Sequence, residues 1–245
     1  MLYCNRAVHI VNKNYFQGLC KMKKTAVLII ITVLVAMMFN GCDEQQDAFE
    51  EIMQQYCVVL DAGHGGTDGG ALGITTGCKE SEINLSVTLK VRDLLQSAGI
   101  RVVLTRSDEK ALCDDSHYSK QKDMQLRGQR IDAAGPDIVV SIHMNSYPNA
   151  TVHGAQTFYY PDSESGKKLA EYIQSSMKRI IDPNNKRTVK PEDFFLLRTY
   201  AGPSALVECG FLTCPAEEKL LLKEEYQDKL AYCIFDGIIS YLMLG

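Results

Sequence analysis

The sequence predicts an α/β fold: a single domain on a mainly parallel twisted sheet, with helices on both faces in three αβα layers. Three observations carry this. From about residue 56 onward, short β-branched apolar runs alternate with segments of helical apolar spacing. The first of those runs empties into a glycine-rich turn, as a buried strand feeding a loop does. No repeat, proline-rich linker or second composition block follows. Strands that alternate with helices pair in parallel through helical crossovers, which cover the sheet on both sides.

The elements follow in order. Cys57-Val58-Val59-Leu60 is the first strand and runs into the turn Asp61 to Gly73. Ile83, Val87, Val91, Leu94, Leu95 and Ala98 recur at helical spacing, and Gly99 supplies the stop. Arg101 to Thr105 is the next strand. Leu126 to Ala134 is a helix closed by Gly135-Pro136, and Ile138 to His143 is the central strand. Ala155 to Tyr160 is a further strand and Ser165 to Ile181 an amphipathic helix. After the polar stretch Asp182 to Lys190, the apolar runs Phe194 to Leu197 and Leu206 to Glu208 read as two more strands. A helix from about Glu217 and a last one from Tyr226 to Leu242 complete the chain.

The chain has 245 residues, 46% hydrophobic and 23% charged, which excludes a disordered, collagenous or polytopic membrane protein. Its charge is uneven. Residues 1–42 hold Arg6, Lys13, Lys21, Lys23 and Lys24 and no acid, leaving 21 basic against 30 acidic residues beyond Cys42, a net of −9. So acidic a body excludes nucleic acid as a partner, because that needs clustered Lys and Arg. Met22-Lys23-Lys24, the 15-residue apolar run Thr25 to Phe39 and the small residue Gly41 make an export signal, or an anchor if it stays uncleaved. Met22 is a more natural start for such a signal than Met1. Cys42 after Gly41 suggests a lipid attachment site, although Phe39 and Asn40 fit that pattern poorly. The expected organisation is 1–42 as N-terminal extension and signal or anchor, 43–55 as linker and 56–245 as the functional domain. Cys57, Cys78, Cys113, Cys209, Cys214 and Cys233 contain no CxxC pair, and most fall in apolar segments, so they read as buried free thiols.

In a parallel sheet the ligand lies beyond the carboxyl ends of the strands. Four acid or imidazole side chains stand there: His64 in the first turn, Glu80 before the first helix, His143 closing the central strand and Glu208 closing the last apolar strand. Two His and one Glu are a common ligand set for catalytic Zn²⁺ with a position left for water. That set is His64, Glu80 and His143, with Glu208 as the base that moves the proton of water. Each has a plainer alternative. His64 between two glycines also suits a turn, His143 a satisfied core position, and Glu80 or its rival Glu82 a first-turn acid favoured by the helix dipole. Glu208 is the least easily explained, since a carboxylate after Ala205-Leu206-Val207 is costly to bury unpartnered. The remaining imidazoles beyond residue 42, His117 and His153, read as loop residues, with a place bordering the site as the alternative for His153.

The runs Asp61-Ala62-Gly63-His64-Gly65-Gly66-Thr67-Asp68-Gly69-Gly70, Glu80 with Ile83-Asn84-Leu85, Ser141-Ile142-His143-Met144-Asn145-Ser146 and Leu206-Val207-Glu208-Cys209-Gly210-Phe211-Leu212 together resemble the zinc-dependent N-acetylmuramoyl-L-alanine amidases. Gly154 to Tyr159, Leu126 to Arg130 and Pro203 to Glu208 are most similar to the sporulation branch of that family. The resemblance implies one Zn²⁺ per chain held by His64, Glu80 and His143, and catalysis by Glu208. It implies hydrolysis of the amide between N-acetylmuramic acid and L-alanine of peptidoglycan, in spore cortex maturation toward muramic lactam, or else as a general cell-wall amidase. Asn145 is a candidate substrate contact and Asp68 a positioning residue; Arg127, on one helix face with Arg130, is a candidate for binding a peptide carboxylate, with orienting a site residue or a structural salt bridge as the alternatives. A non-catalytic wall-associated lipoprotein is the rival from outside enzymology. The expected place is outside the cytoplasm, at the membrane or in the cell wall, with a membrane tether or an accessory protein partner to locate the enzyme. Thr213-Cys214 stands where the family commonly has Ser-Asn.

Overall fold

The structure, a computed structural model, describes residues 50–245, within which Ile52–Gly245 is one compact unit. The expected signal or anchor, Cys42 and residues 43–49 of the expected linker lie outside the described residues. Among those described, no helix is long and apolar enough to cross a membrane.

The six strands are β1 (Cys57–Ala62), β2 (Arg101–Leu104), β3 (Ile138–Asn145), β4 (Gln156–Tyr159), β5 (Lys190–Pro191) and β6 (Ser204–Phe211). The helices are α1 (Glu80–Ser97), α2 (Lys120–Ala134), α3 (Glu164–Ile180), α4 (Phe195–Thr199), α5 (Pro215–Leu221) and α6 (Glu224–Leu244). The strands form one sheet in the order β2-β1-β3-β6-β4-β5, parallel throughout except where β4 meets β6. The α1, α3 and α6 helices pack together on one face, and α2 and α4 cover the other. The expected αβα layering is therefore what the chain adopts.

Covering both faces explains why β1 is buried at every position and why its sequence is almost uninterruptedly apolar. On the α2/α4 face, Val59 and Val139 meet Ile131 and Leu196. Each such side chain, wholly withdrawn from water, contributes roughly 1.5–3 kcal/mol.

Two expectations need correction. Phe194 to Leu197 is not a strand: Phe195–Thr199 is the short helix α4. A four-residue apolar run carries no periodicity, and tertiary packing decided, because the helix drops Leu196 onto Val59 and Val139 and Leu197 onto Phe158 and Leu206. The strand that completes the sheet is instead Lys190–Pro191, an edge where proline, which lacks an N–H, is tolerated. The second helix also begins at Lys120 rather than Leu126. Its first turns are polar, but Ser119 caps them by accepting from the Lys122 amide.

Candidate active site at the strand ends

The register of the parallel strands assembles the site. Asp61 pairs with Ser141 across β1 and β3, and His143 with Glu208 across β3 and β6, so all four lie near one end of the sheet. The turn after β1 then places His64 beside them, and the first residue of α1 is Glu80.

Glu80 is buried and holds the cluster together. Its Oε1 accepts from His143 Nδ1 at 2.9 Å, Asn84 Nδ2 at 3.0 Å and the Met144 amide at 3.2 Å. Its Oε2 accepts from the Ala71 amide at 2.9 Å and lies 3.2 Å from His64 Nε2. Burial opposes ionisation, but the two imidazoles outweigh it and hold this carboxyl well below the usual range. The rival Glu82 is exposed and outside the cluster.

His64 is oriented from its other nitrogen. Nδ1 donates to Asp68 Oδ2 at 2.9 Å, and the same carboxylate accepts from Tyr118 Oη at 3.2 Å and, through Oδ1, from the Gly70 amide at 3.1 Å. Nε2 is thereby presented to Glu80. Among the described residues His64 is the one non-glycine at positive φ, 62°, a conformation that persists only where surroundings enforce it and that gathers at functional sites. Two glycines make room: a Cβ on Gly63 would overlap the His143 ring, and one on Gly70, at φ +69°, would collide with Glu80 and His64.

Beneath the cluster lies a buried charge network. Asp61 Oδ1 accepts from Arg127 Nη1 at 2.7 Å and Thr105 Oγ1 at 2.6 Å, and its Oδ2 from Ser141 Oγ at 2.6 Å. Burial alone would raise this carboxyl, but Arg127 and the two hydroxyls hold it at about 2. Arg127 spends four of its five N–H donors inside the protein, on Asp61, Asp123 and the carbonyls of Ala62 and His64. At 1% exposure it is a strut under the His64 turn, which corrects the expected contact with a substrate carboxylate. Arg106, which sequence reasoning passed over, is its companion: buried, it donates to the carbonyls of Ala62, Gly63 and Ser81. A charged residue directly after a strand end was the signal available. Arg130 binds the Thr105 carbonyl instead.

Glu208 borders a cleft of about 330 Å³ that it shares with His64 and His143. Its Oε2 is sealed from solvent with no hydrogen-bond partner. Burial, with Glu80 nearby, pushes its carboxyl up to about 7 while the imidazoles pull the other way. Asn145 does not line the cleft; its Oδ1 caps the Ser146 amide. His117, ending the one-turn 3₁₀ helix Asp115–His117, and His153, in a loop, are both exposed, with His153 Nδ1 bonded to the Thr151 carbonyl. The six cysteines among the described residues are free, as expected, and all but Cys78 are buried.

One ligand atom each from His64, Glu80 and His143 falls within 4.8 Å of the others, so the three could hold a metal ion. The test of fit is local. Two imidazoles and a carboxylate are a zinc-type donor set, one imidazole is already oriented by a carboxylate behind it, and a carboxylate oxygen beside them stands without a partner. The residues fit.

Fold and site together define a class: an α/β domain with a His-Glu-His cluster and a poised carboxylate at the strand ends, the layout of a metal-assisted hydrolase. Comparison narrows it, for residues 58–240 match the family model of the N-acetylmuramoyl-L-alanine amidases, and the chain belongs to that family. It is 37% identical over 188 residues to the germination-specific N-acetylmuramoyl-L-alanine amidase of Bacillus subtilis (strain 168), covering 75% of this chain and 78% of that one. The CwlD amidase from Clostridioides difficile, solved in complex with the GerS lipoprotein, is 41% identical with a TM-score of 0.75 over 78% of this chain and 100% of that one. The N-acetylmuramoyl-L-alanine amidase from Clostridium difficile 630 is 34% identical with a TM-score of 0.68 over 77% and 97%. The protein is accordingly a peptidoglycan amidase.

Proposed function

We propose that residues 56–245 form a zinc-dependent amidase domain that releases the stem peptide from N-acetylmuramic acid, with His64, Glu80 and His143 as metal ligands and Glu208 as the general base. The observation that carries this is the juxtaposition of the His-Glu-His cluster with Glu208, whose buried Oε2 has no hydrogen-bond partner. Zn²⁺ held by His64, Glu80 and His143 would supply Lewis-acid chemistry to the scissile amide and its attacking water. Glu208 takes the proton of the attacking water and returns it to the nitrogen of L-alanine as the amide breaks. A carboxyl raised toward neutrality by burial suits both halves of that transfer. Asp68 holds the tautomer of His64, and Arg127 and Arg106 hold the backbone of its turn. Asn145, two residues beyond His143 on β3, is assigned to substrate placement at the edge of the cleft.

The likeness to the germination-specific amidase and to CwlD supports a role in the spore cortex, on the path to muramic lactam. The complex of CwlD with GerS supports an accessory partner for this chain as well. Residues 1–42 are assigned to export and to a membrane tether, which places the enzyme outside the cytoplasm.

The deciding experiment incubates the zinc-assayed protein with peptidoglycan and identifies the products by mass spectrometry. Intact stem peptides with a free L-alanine amine are expected. Glu208→Gln should keep its zinc and lose roughly 10²- to 10⁴-fold in turnover. Shortened stems would move the assignment to a peptidase, and unchanged turnover in Glu208→Gln would remove Glu208 from the mechanism.

A further inference from the structure

The cleft beside the catalytic cluster is lined by several carboxylates and two cations, Lys120 and Arg127. Arg127 is consumed by Asp61 and Asp123. Lys120 has no ion pair or hydrogen bond of its own among the described residues. The nearby acids are spoken for: Asp123, three residues along α2, gives Oδ2 to Arg127 and Oδ1 to the Leu112 and Cys113 amides, and Asp68 is held by His64, Tyr118 and Gly70. The placement is also electrostatically poor for folding. Lys120 is the first residue of α2, where the helix dipole favours acids and disfavours a cation. Lysine suits a helix, but neither the dipole nor an ion pair favours a cation at this end of it.

We propose that Lys120 determines substrate specificity by binding a carboxylate of the stem peptide, so that its edge of the cleft receives the leaving peptide and not the glycan. This rests on the amidase reading above. The chemistry of the substrate selects the occupant: N-acetylated sugars are neutral and the lactyl carboxyl is tied up in the scissile amide, so the carboxylates of that unit are on the peptide. Lys120 is exposed at the rim of the cleft, so its ammonium can swing to a peptide carboxylate, and being unpaired it gives up no internal ion pair to do so.

The test uses the zinc-loaded full chain and a pair of muramoyl peptides identical except that the stem carboxylates are free in one and amidated in the other. Two measurements are made, binding of the released peptide by calorimetry and turnover of the muramoyl form. The wild type should favour the free acid by about tenfold, in peptide affinity and in KM more than in kcat. Lys120→Gln should erase that preference by weakening the acid alone, Lys120→Arg should retain it, and Lys122→Gln, an exposed neighbour outside the cleft, should behave as wild type. A preference that survives Lys120→Gln, or an equal loss on both peptides, overturns the assignment. Absence of turnover with the binding preference intact would instead remove the amidase reading and leave Lys120 as a carboxylate site.

Discussion

Gly63, His64 and Gly70 show how little freedom the site allows a single side chain. The glycines admit the His143 ring and the Glu80 carboxylate into space that a methyl group would fill, and His64 holds a strained φ to reach the same point. Gly63→Ala should therefore displace His143 and lower zinc content below one per chain by elemental analysis, with the far-ultraviolet spectrum little changed. Glu80→Gln and Glu82→Gln form a matched pair. The first removes the charge and turns one of the two oxygens facing the imidazoles into an NH₂ donor, and should lose zinc, and the second, exposed, should keep it. Equal zinc in the two variants would assign the carboxylate ligand wrongly. At this scale the sequence was legible where chemistry and position coincided, as at Glu208. It was mute on Glu80 against Glu82, because both lie in the first turn of the same helix and only the direction of the turn decides which is buried.

Among elements, β1, β3 and α2 are joined by Asp61, Ser141 and Arg127 at distances of 2.6 and 2.7 Å. This tie gives a pH dependence whose sign can be worked out. Asp61 is held at about 2 in the folded protein, below the ordinary carboxylate value of about 3.9 in the unfolded chain. Its stabilisation is complete above about pH 4, declines as the pH falls and is gone below about 2. Asp61→Asn should flatten the acid limb of stability in that window. At neutral pH it should cost about 1.5–3 kcal/mol, since Arg127 loses one of its two carboxylate partners and keeps Asp123; urea unfolding at pH 7 and at stepped acid pH reads both. A second tie is Glu218 of α5, which accepts from the Thr75 and Thr76 amides at 2.8 Å and from Thr76 Oγ1 at 2.7 Å and so pins the loop before α1. Glu218→Ala should destabilise by about 1–3 kcal/mol in thermal unfolding by orphaning those amides. The α4 helix belongs to this scale too: the run was legible as apolar, but its form followed from the sheet beneath it.

For the molecule as a whole, a metal bound only by the folded state contributes to its stability. At zinc concentrations about a hundredfold above Kd the gain is about 2.7 kcal/mol, or roughly 5–10 °C in Tm for a domain this size. Chelation should lower Tm by that amount and zinc should restore it, while Glu80→Gln should show no shift. An acidic body of net −9 beyond Cys42 offers an anionic cell wall no electrostatic hold. With residues 1–42 as the proposed tether, the full chain should sediment with membranes, and a chain starting at residue 43 should not.

Alternation of apolar runs, helical spacing and glycine turns by themselves determined the layers, the parallel sheet and the end at which chemistry would lie, because periodicity and burial on both faces are written locally. The same turns named His64, Glu80, His143 and Glu208 as candidates. Only the tertiary structure decided that Arg127 is a strut and not a substrate contact, that Phe195–Thr199 is a helix, and that Lys120 stands alone in the cleft. Those outcomes turn on which partners distant segments bring to a side chain, and a charge's role is set by whether such a partner has already neutralised it.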